Sequence, residues 1–216
     1  MFIGHFAVGF ASKRFAPQTS LGTLIAAAAL LDLLWPVFLL LGWEQVRIVP
    51  GNTAFTPLDF VSYPISHSLV CAVGWATLFA VLYYILKRYR AGAFVIWIGI
   101  VSHWVLDFVT HRPDLPLYPG GPRVGLGLWN STLATVIVEG LMYAAGIWIY
   151  LRVTRAKDGM GRCGLWSFVV AVAALYVANI FSPPPPDVRM LAIVAIPFTW
   201  ILIFWAGWAD RHREAR

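Results

Sequence analysis

Two cysteines in 216 residues, Cys71 and Cys163, leave no basis for a disulfide framework or a thiolate metal site, since one lies in an apolar run and the other in a basic turn. Charge is scarce as well: 12% of residues are Asp, Glu, Lys or Arg, against 60% hydrophobic. That balance excludes an ordinary soluble domain. It also argues against nucleic acid as a partner, because the 16 Lys and Arg behind the net charge of +6 fall in short turn clusters rather than on a binding fold. Further missing are the His-Glu-x-x-His element of a zinc protease, the repeated His boxes of a desaturase-like di-iron site, and any repeat of fixed period. Met1–Phe15 has no basic region ahead of its apolar part, so no cleaved signal peptide is expected.

What remains is a set of apolar runs of about 17–22 residues, the length that crosses a bilayer. The pattern predicts an all-α integral membrane protein, one domain over 1–216, with spans near Leu21–Leu41, Ile65–Leu86, Phe94–His111, Thr132–Leu151, Leu165–Phe181 and Leu191–Trp208. Segment 1–15 reads as a short helix, and 42–63 and 112–130 as outer loops. With six spans, Lys13, Arg14, Lys87, Arg88, Arg90, Arg152, Arg155, Lys157, Arg162, Arg211, Arg213 and Arg216 share one side. The other side has Arg47, Arg112, Arg123 and Arg189. The basic side is expected to be cytoplasmic, so both termini should lie inside the inner membrane of a bacterial or archaeal cell. The flanking Lys and Arg should hold lipid head groups, and His212 reads as part of a cytoplasmic tail.

Ionisable residues inside apolar runs are costly and mark function. The sequence has Asp32, His67, His103, Asp107, His111 and Glu139, with His5 in the apolar N-terminal segment. His103, Asp107 and His111 are spaced by four and share one helix face. At 1.5 Å per residue, His67 lies roughly 5 Å, Glu139 roughly 12 Å and Asp32 roughly 14 Å below the outer membrane face, so they can meet. His5 would join them only if residues 2–15 fold back into the membrane. Imidazoles with carboxylates suit zinc, with manganese as an alternative, and one or two divalent ions would balance the acids, since no Lys or Arg falls within the spans.

With these residues gathered, the chain resembles the membrane-bound metal-dependent hydrolases of the LexA-binding, inner-membrane-associated family. The likeness rests on Gly4-His5-Phe6-Ala7-Val8-Gly9, Leu30-Leu31-Asp32, Ile65-Ser66-His67-Ser68, and Ser102–Thr110 followed by Pro116-Leu117-Tyr118-Pro119. The order of ligand types is also similar to that of the soluble zinc phospholipase C and S1/P1 nuclease proteins. That similarity implies Asp32, His67, His103 and Asp107 on one metal, His5 with a bridging Asp107 on a second, and His111 and Glu139 as the remnant of a third site. Thr135 stands where the soluble pattern has a His.

The expectation is therefore a metal-dependent hydrolase cleaving a phosphoester of a lipid or amphiphile that arrives from the outer leaflet. Asp107 would hold metal, Asp32 or Glu139 would take the proton of water, and Ser66, Ser68, Arg112 or Asn130 would contact the phosphate. Two other classes fit the same residues: a proton- or ion-coupled transporter, since buried His and Asp make proton relays, and a structural membrane protein stapled by metal.

Overall fold

The computed structural model describes residues 1–216, two thirds of them helical. Five helices are long and apolar enough to cross a membrane: α5 (Leu69–Lys87), α6 (Arg90–Thr110), α7 (Thr132–Val153), α8 (Gly159–Phe181) and α9 (Val188–Arg211). Two shorter helices, α2 (Leu21–Ala28) and α3 (Leu30–Leu40), meet at 58° and together have the length and apolarity of a sixth, broken span or of a re-entrant loop. The remaining helices are α1 (Ile3–Ser12) and the single turn α4 (Pro64–His67). Large apolar side chains such as Val81, Ile85, Leu133, Leu141, Val170 and Phe204 are exposed on the long helices. Such a surface is stable only against lipid, and the chain is an integral membrane protein.

Two of the expected spans are interrupted where the site is built. The sequence offers no Gly or Pro at Ala29, yet its backbone leaves the helical region (φ −103°, ψ 10°) and the chain turns there. The carbonyl of Ala28, beside the break, accepts a hydrogen bond from the His103 ring at 2.8 Å. The second expected span does not start at Ile65. Ser68 is extended (ψ 147°), caps α5 by accepting from the Cys71 N–H, and leaves α4 as a separate turn ending in His67.

α1 is buried in the bundle, packed mainly against α7 and α2 and also touching α6 and α8. Glycine makes that possible: a Cβ on Gly146 of α7 would lie 2.5 Å from the Ala7 carbonyl oxygen, and one on Gly9 would lie 2.9 Å from the Ile25 Cα. The far end of α1 is tied down by Lys13, whose Nζ donates to Asp210 Oδ2 (2.7 Å) and to the Thr19 carbonyl (2.9 Å). Asp210 also accepts from the Tyr150 hydroxyl and the Leu21 N–H.

The loops that follow α3 and α6 carry two antiparallel hairpins, β1 (Gln45–Ile48) with β2 (Leu58–Ser62) and β3 (Leu115–Pro116) with β4 (Arg123–Val124). The C-terminal tail is more ordered than its composition suggests. β6 (Arg213–Ala215) pairs with β5 (Thr154–Ala156), Arg213 is buried on the Thr154 and Gly161 carbonyls, and His212 bonds Asp158.

Candidate metal centre

Four elements deliver the cluster. α1 supplies His5, α3 supplies Asp32 just past the bend, α4 ends in His67, and α6 carries His103 and Asp107 one turn apart. Asp107 is central: its Oδ1 lies 3.2 Å from His5 Nε2, and its Oδ2 lies 3.1 Å from His103 Nε2 and 3.6 Å from His67 Nε2. Asp32 Oδ1 is 3.6 Å from His67 Nε2 and 3.7 Å from His103 Nε2, and its Oδ2 is 4.0 Å from His5 Nε2. The His5 and His103 rings stack face to face at 3.7 Å. The amino group of Met1 also lies on Asp107 Oδ1.

The tautomers follow from what the outer ring nitrogens touch. His103 Nδ1 can only donate to the Ala28 carbonyl, so in the neutral ring the lone pair is on Nε2. His67 Nδ1 is 2.7 Å from Ser66 Oγ, and Ser66 gives its own proton to Glu44 Oε2 at 2.6 Å, so His67 is also the donor and its Nε2 is bare. Glu44, buried itself, accepts the Ile65 and Ser66 N–H groups on its other oxygen and so caps α4. With neutral rings, two imidazole lone pairs thus face two carboxylates, and beside them the Met1 amino group supplies a positive charge on Asp107 Oδ1. Neither nitrogen of His5, nor His103 Nε2, has a hydrogen-bond partner, although oxygens are near.

That arrangement fits a cation held between the groups. Zn–N and Zn–O bonds of about 2.0–2.1 Å place neighbouring tetrahedral ligands roughly 3.3 Å apart, and the nitrogen–oxygen separations of 3.1–3.7 Å around Asp107 and Asp32 bracket that spacing. Two triads could hold an ion, His5–His103–Asp107 and Asp32–His67–His103. His103 has one free lone pair, so it can serve one ion only.

The other expected residues stand apart. His111 lies at the rim, its Nε2 4.0 Å from Asp107 Oδ2 and its Nδ1 on Asp114 and the Tyr63 hydroxyl. Burial, and then the Asp114 carboxylate, push the Tyr63 phenol well above its ordinary pKa, so it stays a donor to Asp114. Glu139 Oε2 accepts the Phe2 and Gly4 N–H groups at the start of α1, while its Oε1 has no partner. Ser66 and Ser68 are occupied with Glu44 and with capping α5, and Arg112 ties the loops together through Asn52 and Asp59. Asn130 ends a 3₁₀ turn, its N–H bonded to the Gly127 carbonyl.

Sequence reasoning missed Glu44, Asp114 and Tyr63, which orient ring nitrogens from loop positions. The only local signal was Glu44 itself, an acid two residues past the positive-φ Gly42 that ends the apolar run. No family model matches the chain, and no curated protein or solved structure matches it either.

Proposed function

We propose that the cluster holds one or two divalent ions, zinc foremost and manganese as the alternative, and hydrolyses a phosphoester of a lipid or other amphiphile. The observation that carries the reading is the convergence of the His5, His67 and His103 Nε2 atoms on Asp32 and Asp107 at 3.1–4.0 Å, with no hydrogen bond from His103 to either acid. The ligands would be Asp32, His67, His103 and Asp107, with His5 and Asp107 for a second ion. A bound zinc-type ion supplies Lewis acidity, which stabilises charge on the phosphoryl oxygens and makes water acidic enough to attack near neutral pH.

The chain's own groups would do the rest. Asp107, in contact with three imidazoles, keeps the cluster assembled. Asp32 is the one acid open to the surroundings and is suited to accept the proton of the attacking water. A bond forms from water oxygen to phosphorus, the ester P–O bond breaks, and the alcohol leaves with a proton, giving phosphate. His111, held by Asp114 and 4.0 Å from Asp107, would return that proton. The charge distribution outside the spans favours a cytoplasmic (inner) membrane with both termini inside.

The test is elemental mass spectrometry on detergent-purified protein beside a His103→Ala/Asp107→Ala variant, followed by phosphate release from lipid phosphoesters before and after chelation. One or two ions per chain, lost in the variant, with hydrolysis abolished in Asp107→Asn, is the expected result. Metal-free wild type would overturn the reading, and so would an active Asp107→Asn protein.

A further inference from the structure

The cluster is open at Asp32. The side chains of His5, His67, His103 and Asp107 are 0–3% exposed, whereas Asp32 is 44% exposed. Its exposed side faces a cleft of 180 Å³ on the seam between α3 and α9, where Phe2, His5, Asp32, Trp35, Phe198 and Leu202 form much of the wall. The cleft does not open at a membrane surface. Leu202 is fourteen residues into α9, roughly 20 Å from its outer end at 1.5 Å per residue, and the cleft extends from there only part of the way back.

Three features mark it as a ligand site rather than a packing defect. His5 lines it, is nine-tenths buried and has no partner for either nitrogen. Trp35 lines it too, and its buried indole N–H has no acceptor. Both walls carry a proline, Pro36 in α3 and Pro197 in α9, which removes one backbone hydrogen bond from each helix and leaves it easier to bend. Nearer the membrane surface, a wider groove on the same seam runs from Ile193 to Leu39 and Val188. Arg189 at its rim makes no ion pair and offers an anionic head a first contact.

Size selects the ligand. Sites for drug-sized molecules run from about 300 Å³ upward, whereas an apolar space of about 150 Å³ takes a benzene-sized guest. A cleft of 180 Å³, open on one side, therefore holds a small head and the start of one hydrocarbon chain inside the protein. We propose that the α3–α9 seam receives a phosphate monoester carried on a single apolar chain, its head on the ion proposed beside Asp32 and His5, its ester oxygen on the Trp35 indole, and its chain passing Phe198 into the bilayer. The inference deepens the hydrolase reading and rests on it for the ion that holds the anionic head beside Asp32 and for what happens to the head.

The experiment is photolabelling of the metal-loaded, full-length protein with dodecylphosphonate carrying a diazirine on the chain, which cannot be hydrolysed. Label is expected on residues 195–202 of α9. It should be displaced by dodecyl phosphate, and not by a two-chain phosphatidic acid or by dodecanol. Trp35→Phe should leave labelling itself unchanged, since the phosphonate has no ester oxygen, but weaken displacement by dodecyl phosphate about tenfold, the loss of one hydrogen bond; Ala195→Trp should abolish labelling, both with metal content unchanged. Label spread over the lipid-facing helices, or equal displacement by dodecanol, would overturn the seam proposal whatever the enzyme assay gives. Specific label on the seam without any phosphate release would keep the seam and overturn the hydrolase.

Discussion

Changing Glu44 to Gln isolates the effect of a residue that touches no metal ligand atom. Glu44 Oε1 caps α4 through the Ile65 and Ser66 N–H groups, and an amide oxygen can keep those bonds. Oε2 accepts the Ser66 hydroxyl proton, and an amide NH₂ in its place cannot. Ser66 must then turn its proton elsewhere, and the nearest acceptor is His67 Nδ1 at 2.7 Å. If it donates there, the ring proton moves to Nε2 and the lone pair facing Asp32 and Asp107 disappears. Loss of such an outer partner costs about 10–100-fold in metal affinity, or about 1.4–2.7 kcal/mol. The assay is competition with a fluorescent zinc chelator on purified protein, with helical content checked by circular dichroism. Ser66→Ala should weaken zinc to a similar degree, and adding it to Glu44→Gln should cost little more, because both break one chain of bonds. Full zinc affinity in a folded Glu44→Gln protein would refute the tautomer argument.

Three other outcomes are expected. Gly146→Val should lower the melting temperature by an amount equivalent to about 1–3 kcal/mol, as overpacking does, and should reduce bound metal, because the Ala7 backbone must retreat and carry His5 with it. Lys13→Met should destabilise by about 3–5 kcal/mol by leaving Asp210 buried without its cation, whereas Lys13→Met with Asp210→Leu should recover much of the loss, as read by thermal unfolding in detergent. Cys163, which is exposed, should react with a membrane-impermeant maleimide only from the cytoplasmic side, and a cysteine placed at Asn52 in a Cys163→Ser background only from outside; the reverse pattern would invert the topology.

The apolar runs and the ionisable residues within them were legible because a charge in a membrane span stands out against its neighbours. Asp32, His67, His103 and Asp107 do come together, and even His5 does, on a short helix that folds back into the bundle. The interruptions were not legible. At Ala29 the local sequence is a run of good helix formers, and the break goes with a contact made 75 residues away, from His103. At Ser68 the serine that ends α4 and caps α5 could equally have sat inside a continuous helix. Glu44, Tyr63 and Asp114 fall in loop segments, where nothing local distinguishes a polar group that orients a histidine from one in water. Periodicity reports which face is apolar. It does not report which polar atom another segment will claim.

Glu139 shows how a residue can be identified as special for one reason and used for another. α1 is ten residues, roughly 15 Å long, about half of what is needed to cross the hydrocarbon region. A helix that stops inside the bundle leaves end groups that water cannot satisfy. Glu139 takes the Phe2 and Gly4 N–H groups at one end, and Lys13 with Asp210 secures the segment leaving the other. Two buried acids, one at each end of α1, thus hold His5 at the depth of Asp32 and Asp107. The cost of burying Glu139 in an apolar span is offset by backbone donors that the short helix leaves open. On this account replacing Glu139 by Gln, which retains an oxygen for the same N–H groups, should be far milder than replacing it by Leu, and the Leu variant should lose His5 from the cluster while Asp32, His67, His103 and Asp107 stay together.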